Sequence, residues 1–193
     1  MDHQFKTLGI TGPAASGKST FCRVAEEMGF AIFKADEVVW ELYQNNDGVI
    51  EALVGLCPEC WIGGEVDRKT LRTWAFKNLN HMKELNKIIN PWVYKRAREF
   101  VNHGPKPQVL EIPLLFEGGY EKLCSQTLYI SAPLKDRRQR LQERDLSYSE
   151  IDMLLEAQKG IEESQSKADG WLENAASLEI FEAQIRTFLG EFL

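Results

Sequence analysis

The stretch LGITGPAASGKST, Leu8 to Thr20, places Gly12, Gly17, Lys18 and Ser19 at the spacing G-x-x-x-x-G-K-S. Leu8 to Thr11 is short, apolar and β-favouring, and Phe21 to Met28 has helical character, so the glycines fall where a strand turns into a helix. A loop that wraps a phosphate must turn its backbone N–H groups inward, and it delivers the anion to the positive end of a helix dipole. In such a cradle Lys18 reaches the β- and γ-phosphates and the Ser19 hydroxyl holds a magnesium ion. Pro13, Ala14 and Ala15 have less backbone freedom than glycine, so Gly12 and Gly17 are expected to supply most of the turn.

The rest of the chain limits what surrounds this loop. Its 193 residues suit one substantial core, and 44% hydrophobic with 27% charged residues is the balance of a folded globular unit. A net charge of −6 leaves no basic footprint for a nucleic-acid polymer, so an anionic ligand must be held by a local cluster. No run approaches the ~20 apolar residues of a membrane span, and MDHQFK leads into the first strand without a signal-peptide core. A cytosolic location away from membranes is therefore expected. Of four cysteines only Cys57 and Cys60 share a C-x-x-C spacing, and His3, His81 and His103 do not complete a zinc pattern around them.

Taken in order, helix one ends at Gly29 and Phe30 to Phe33 forms a second strand, the opening of a parallel sheet. Asp36 follows at the strand's C-terminal end, where open α/β sheets bind ligands, and it also suits an N-cap for a helix beginning at Glu37. From Glu37 to about His103 strand signals fade and helical spacing takes over, a helical insertion interrupted at Gly63 and Gly64. Asp67 reads as an N-cap, and Arg68 in the first turn opposes the helix dipole, which points to an anion. Asn90-Pro91 reads as a second helix start, and His103 to Pro107 as the closing loop.

Val109 to Ile112 is a third strand running into EIPLLFE. Glu111 at its end reads as a holder of magnesium through water or as a structural hydrogen bonder, and Pro113, Leu114 and Leu115 as a ligand wall or as plain packing. Leu128 to Ser131 is a fourth strand. After Pro133, Arg137, Arg140 and Arg144 share one helical face, which reads as a phosphate clamp or as a solvated face paired with Asp136, Glu143 and Asp145. A helix from Glu150 to about Lys167, a short strand at Trp171 and Leu172, and a C-terminal helix whose stripe runs from Leu178 to Phe192 complete the chain.

Together GITGPAASGKST, Ala35-Asp36, GEVDRKTL from Gly64, NPWV from Asn90, EIPLLFE, Arg140 with Arg144, Gln158, Ala168-Asp169 and Asn174 resemble the dephospho-CoA kinase family over nearly the whole chain. The resemblance implies an α/β, three-layer P-loop kinase fold with a parallel five-stranded sheet, a helical substrate-binding insertion and a mobile lid. It implies one kinase domain, with core segments 1–36, 106–134 and 146–193, a CoA-binding insertion 37–105 and a lid 135–145. The implied activity is transfer of the ATP γ-phosphate to the ribose 3′-hydroxyl of dephospho-CoA, with ATP and Mg2+, by a monomer.

Residue by residue, the resemblance puts ATP on Gly12, Ala14, Ala15, Ser16, Gly17, Lys18, Ser19, Thr20 and Asn174. It puts acceptor contacts on Asp36, Arg68, Pro113, Leu114, Leu115 and Glu117, and metal on Ser19 and Glu111. Asp36, Lys18, Arg140 and Arg144 are the implied catalytic residues. The chain departs from the family pattern at Lys34, where aspartate is usual, at Asn90, where histidine is usual, and at Ser164, where a basic residue is usual. Another small-molecule P-loop kinase and a nucleotide- or CoA-binding protein without catalysis are the two other readings of the same residues.

Overall fold

The computed structural model describes residues 6–105, 107–144 and 146–193. His3 and Asp145, both named above, lie outside them. The chain forms two compact units, one of residues 1–34 and 97–193 and the other of 35–96.

The first unit holds a sheet of five parallel strands in the order β2-β5-β1-β6-β7, namely Ala31–Lys34, Gln108–Glu111, Thr7–Thr11, Gln126–Ser131 and Gly170–Glu173. Parallel pairing requires crossovers and buries both faces, which explains why the inner strands read as nearly continuous apolar runs. Leu8, Ile10, Val109, Leu128 and Ile130 point to one face. There α1 (Lys18–Glu27) and α8 (Leu178–Phe192) cover them with Phe21, Val24, Ala25, Phe181, Ile185 and Leu189, all buried. Burying a Phe, Val, Ile or Leu side chain of this kind stabilises the fold by about 1.5–3 kcal/mol. On the opposite face Phe33 lies 5.6 Å from Phe100, near the end of α5 (Leu79–His103). Gly9 admits Leu115 and the Cys124 thiol there, because a β-carbon on Gly9 would stand 2.6 Å from Cys124 Sγ.

The chain leaves β1 through the glycine-rich loop and enters α1, then turns at Gly29, whose φ of 88° is the left-handed conformation expected of a helix-ending glycine. Helices α6 (Leu134–Gln142) and α7 (Tyr148–Ala157) follow β6. Helix α7 begins with a reciprocal capping box of Ser147 and Glu150. The helix expected from Glu150 to Lys167 is in fact two pieces. It breaks at Gln158, and Lys159–Lys167 continues as tighter 3-10 turns.

The second unit is largely helical: α2 (Ala35–Asn45), α3 (Asp47–Leu56), α4 (Arg68–Phe76) and the larger part of α5. Its core contains Leu42, Val49, Leu53, Val66, Leu71, Ala75, Ile89 and Val93. Three expectations are corrected here. Helix α2 starts at Ala35, not Glu37, so Asp36 sits in the first turn rather than at the cap. Gly63 and Gly64, at φ 64° and 90°, make the turn of a hairpin between β3 (Trp61–Ile62) and β4 (Glu65–Val66). Two successive residues with positive φ match the twist of a two-residue hairpin, a short-range signal that helical periodicity on either side conceals. Asn90-Pro91 lies inside α5, whose N-cap is Asn78, its Oδ1 accepting from the His81 N–H at 2.9 Å. Buried Ile89, Val93 and Ala97 keep helical spacing across the proline, so packing on that side outweighs the backbone bond the proline cannot make.

Candidate active site

The phosphate loop lies at the C-terminal end of β1, the middle strand. Gly12 has φ 141°, and a β-carbon there would stand 2.1 Å from the Ile130 carbonyl oxygen, so only glycine lets the loop cross β6. Gly17 has φ 116°, and a β-carbon there would meet Asn174 Nδ2 at 2.5 Å. Between them Ala15 takes φ 59°, so the turn does not rest on the two glycines alone. A non-glycine residue in that region costs on the order of 1 kcal/mol, which the surroundings must offset. They do so by packing. Ala15 belongs to a small buried cluster with Leu141 of α6 and Ile151 of α7.

Helix starts distinguish this loop from the other turns. Helices α3, α4, α7 and α8 each begin with a side-chain cap, from Asn46, Asp67, Ser147 and Ser177. Helix α6 follows Pro133 without a side-chain cap but carries Asp136 in its first turn, whereas α1 follows Gly17 with neither a side-chain cap nor an acidic residue in its first turn. The helix start is therefore left without a capping side chain, and the positive end of its dipole has no carboxylate from its own first turn against it. That arrangement accepts a phosphate. The Ser16 hydroxyl, buried in the loop, has no hydrogen-bond partner among the described residues. Lys18 Nζ donates to the Gly12 and Pro13 carbonyls at 2.6 and 2.9 Å, which keeps the ammonium at the loop.

Three consecutive loop carbonyls are held by donors from other elements. Arg137 Nε donates to Ala14 O at 3.0 Å, Arg140 Nη1 to Ala15 O at 3.0 Å, and Asn174 Nδ2 to Ser16 O at 2.9 Å. With these three carbonyls turned outward, the amides of the same peptides face the other way, the Ser16 N–H donating to Pro13 O at 3.3 Å. Gln158 Oε1 accepts the Ala14 N–H at 2.7 Å, so that amide is already engaged. Arg137 is only 4% exposed; burial lowers its pKa, and Glu162 at 3.6 Å counters the shift. The three-arginine clamp expected from helical spacing is thus divided. Arg137 and Arg140 grip the loop backbone, whereas Arg144 is exposed beyond the last residue of α6. Asn174, expected to touch ATP, spends its side chain on Ser16 and on Arg140 Nη2 at 3.4 Å.

Glu111 ends β5, the strand beside the loop strand, and accepts from Cys22 Sγ at 3.5 Å. Burial, reinforced by the Glu111 charge, pushes the Cys22 thiol up. Ser19 precedes Cys22 by three residues on α1 and so lies on the same helix face, one turn nearer the loop. Ser19 is exposed. The pair of a hydroxyl and a carboxylate on that side suits a hard, oxygen-seeking cation such as magnesium. Leu115, expected beside a ligand or in plain packing, is fully buried, its δ-carbons packed over Gly9. Pro113 and Leu114 are partly exposed, and the Thr11 hydroxyl donates to the Pro113 carbonyl at 2.8 Å. Glu117 accepts from the buried Ser164 hydroxyl at 3.2 Å, so the carboxylate has a neutral partner where the family pattern has a basic one.

The second unit carries a pocket of about 590 Å³ that holds both Asp36 and Arg68. Asp67 caps α4 by accepting from the Thr70 N–H at 2.8 Å, and this orients the first turn that carries Arg68. The Arg68 guanidinium lies over the Trp40 ring, 4.5 Å from its centre. Lys69 and Arg72 add positive charge, and Tyr43, Met82 and Leu85 add apolar wall. Burial pushes the Tyr43 phenol up to about 12, with the Arg68 charge opposing the shift. Sequence reasoning missed Tyr43, Lys69 and Arg72, since a tyrosine and two cations on exposed-looking helices carry no local mark of a pocket. It also gave Arg137 and Gln158 no part in holding the loop.

A glycine-rich loop ending the middle strand of a five-stranded parallel sheet, with a lysine and an uncapped helix behind it, is the P-loop kinase fold. The profile of the family described as CoaE, dephospho-CoA kinase, matches residues 6–179. The chain belongs to the dephospho-CoA kinase family, whose members are kinases that transfer phosphate from ATP to an alcohol hydroxyl. A dephospho-CoA kinase from Thermus thermophilus is 35% identical over 196 residues, covering 99% of this chain and 95% of that protein. The crystal structure of TT1252 from Thermus thermophilus superposes with a TM-score of 0.79 at 34% identity, over 97% of this chain and 98% of that one. Dephospho-CoA kinase from Campylobacter jejuni gives 0.67 at 28% identity, over 96% of each.

Proposed function

We propose that this chain transfers the γ-phosphate of ATP to the ribose 3′-hydroxyl of dephospho-CoA, the last step of coenzyme A formation. The observation that carries the reading is the uncapped start of α1 at Gly17, followed at once by Lys18, in a chain of this family. Backbone amides of the loop and the Lys18 ammonium bind the triphosphate. Transfer proceeds through a loose transition state with charge spread over the equatorial oxygens, so positioning and positive charge carry most of the catalysis. Lys18 and Arg140 provide that charge close to the loop; Arg144 adds to it from the lid segment 135–145.

Asp36, with Arg68 in the same pocket, orients the acceptor. In a loose transition state the proton leaves late, so Asp36 accepts a hydrogen bond from the hydroxyl and takes its proton as the phosphoryl group transfers. Arg68, Lys69 and Arg72 meet the acceptor's phosphates. Ser19, and Glu111 through water, would hold magnesium, which when bound neutralises charge on the β- and γ-phosphate oxygens. The reading includes a monomeric cytosolic enzyme without a nucleic-acid partner. Among the described residues no helix is long and apolar enough to cross a membrane.

An ATP- and magnesium-dependent assay with dephospho-CoA, run beside a panel of nucleosides and small metabolite alcohols, tests the proposal. Release of ADP with formation of CoA supports it. Transfer to a different alcohol reassigns the acceptor, and ATP binding without any transfer removes the enzymatic reading.

A further inference from the structure

Among the described residues, Ala14 is the loop residue whose N–H and C=O are both taken by side chains from outside the loop. Gln158 Oε1, just past α7, accepts its N–H at 2.7 Å, and Arg137 Nε, from α6, donates to its carbonyl at 3.0 Å. A residue held on both sides cannot rotate its peptide planes without losing a bond at each. The next residue, Ala15, has a left-handed φ of 59°, a conformation that alanine does not hold by itself. This is the place in the loop where glycine's freedom is missing. Arg137 is also an unusual side chain for a helix in which Arg138 and Lys135 reach solvent. It is 4% exposed, and its guanidinium is offset by the Ala14 carbonyl and by Glu162 at 3.6 Å. Burying an arginine is costly unless its donors are used, so the Ala14 carbonyl is a main reason it can be there.

We propose that Arg137 is a positioning residue for ATP: with Gln158 it locks the Ala14 peptide, so that the amides that follow point toward the bound triphosphate. The inference rests on the ATP-binding half of the function proposed above and is independent of the acceptor. Neither residue need touch the nucleotide. Because Arg137 and Arg140 both hold loop backbone, the first two turns of α6 are part of the donor site. Arg144, past the helix end and exposed, is the lid arginine with no loop carbonyl bond among the described residues.

The test uses the full chain and two variants. Arg137→Met keeps length and volume but loses the donor, and Arg137→Lys keeps a donor. ATP binding is titrated directly, and KM is measured separately for ATP and for dephospho-CoA. Loss of one charge-assisted hydrogen bond predicts an ATP dissociation constant raised about tenfold in R137M and within about threefold of wild type in R137K. The dephospho-CoA KM should be unchanged in both. Adding Gln158→Ala to R137M should cost less than Q158A costs alone, because the two side chains hold one residue. Wild-type ATP binding in R137M overturns the proposal, as does an equal loss for ATP and dephospho-CoA in both variants, which marks a packing role only. If the wild-type chain binds ATP but does not phosphorylate dephospho-CoA, the acceptor assignment falls and the ATP titrations still decide this inference.

Discussion

Asn174 Nδ2 donates to the Ser16 carbonyl at 2.9 Å, tying the residue after the last strand to the phosphate loop near the start of the chain. The same side chain accepts from Arg140 Nη2 at 3.4 Å, and its backbone N–H is held by Ser131 O at 2.8 Å. Asn174→Ala leaves the Ser16 carbonyl and the Arg140 guanidinium each short of a partner. Removing one partner of buried hydrogen bonds costs roughly 1–3 kcal/mol, so the melting temperature should fall by several degrees and ATP binding should weaken about tenfold. Differential scanning fluorimetry with and without ATP separates the two effects.

Gly12→Ala should be the most damaging single-atom change in the loop. The new β-carbon would stand 2.1 Å from a backbone oxygen of β6 and would sit at φ 141°. That oxygen is not the flexible end of a side chain, so the loop itself must move. ATP binding should be lost to the limit of titration calorimetry, and urea unfolding should show a stability loss of more than about 2 kcal/mol.

Asp36→Asn preserves size and hydrogen bonding but removes the proton acceptor. If Asp36 orients the hydroxyl and receives its proton, kcat should fall about a hundredfold or more while the ATP dissociation constant stays within about twofold. Single-turnover kinetics with dephospho-CoA provide the measurement. Residual turnover within tenfold of wild type would remove Asp36 from the chemistry.

Burial raises the thiol pKa of buried Cys22 and Cys60 and of half-buried Cys124, so these groups should lower stability at alkaline pH. Burial pushes Cys60 and Cys124 up to about 12 and raises Cys22 as well, the Glu111 charge adding to the last. Above the unfolded-state thiol pKa, near ~8.5, the unfolded chain releases these protons while the folded chain keeps them. The stability they contribute is complete below that pH and is lost progressively as pH rises toward 12, at up to about 1.4 kcal/mol per pH unit per thiol. Urea unfolding at about pH 7, 8.5 and 10, spanning the unfolded-state thiol pKa, should show this decline. At about pH 8 all three thiols should react slowly with an aromatic disulfide reagent in the native chain and rapidly in urea.

The phosphate loop was legible because its chemistry is local. Gly12, Gly17, Lys18 and Ser19 have a spacing set by the geometry of one strand-loop-helix turn, and Asp67 as a cap needs only the three residues after it. The C-terminal stripe of Phe181, Ile185 and Leu189 was equally plain, since helical period alone puts these residues on one buried face. Local rules failed where another segment supplied the partner. Asn90-Pro91 has the form of a helix start, yet the apolar spacing of Ile89, Val93 and Ala97 carries α5 straight through it. Leu115 was indistinguishable in sequence from Leu114, and only the absent side chain of Gly9 draws it into the core.

The sequence by itself determined a strand-loop-helix phosphate site, the parallel sheet behind it and a helical segment carrying Asp36 and Arg68. These follow from residue spacing, turn chemistry and hydrophobic period, all of which act over a few residues. Tertiary structure decided how the loop is held. Whether an arginine at helical spacing faces solvent, a ligand or a backbone carbonyl depends on what packs against that helix, and α6 packs against the loop through Leu141 and Ala15. That contact brings Arg137 and Arg140 to Ala14 and Ala15 and leaves Arg144 in solvent, a division that three arginines on one face do not reveal.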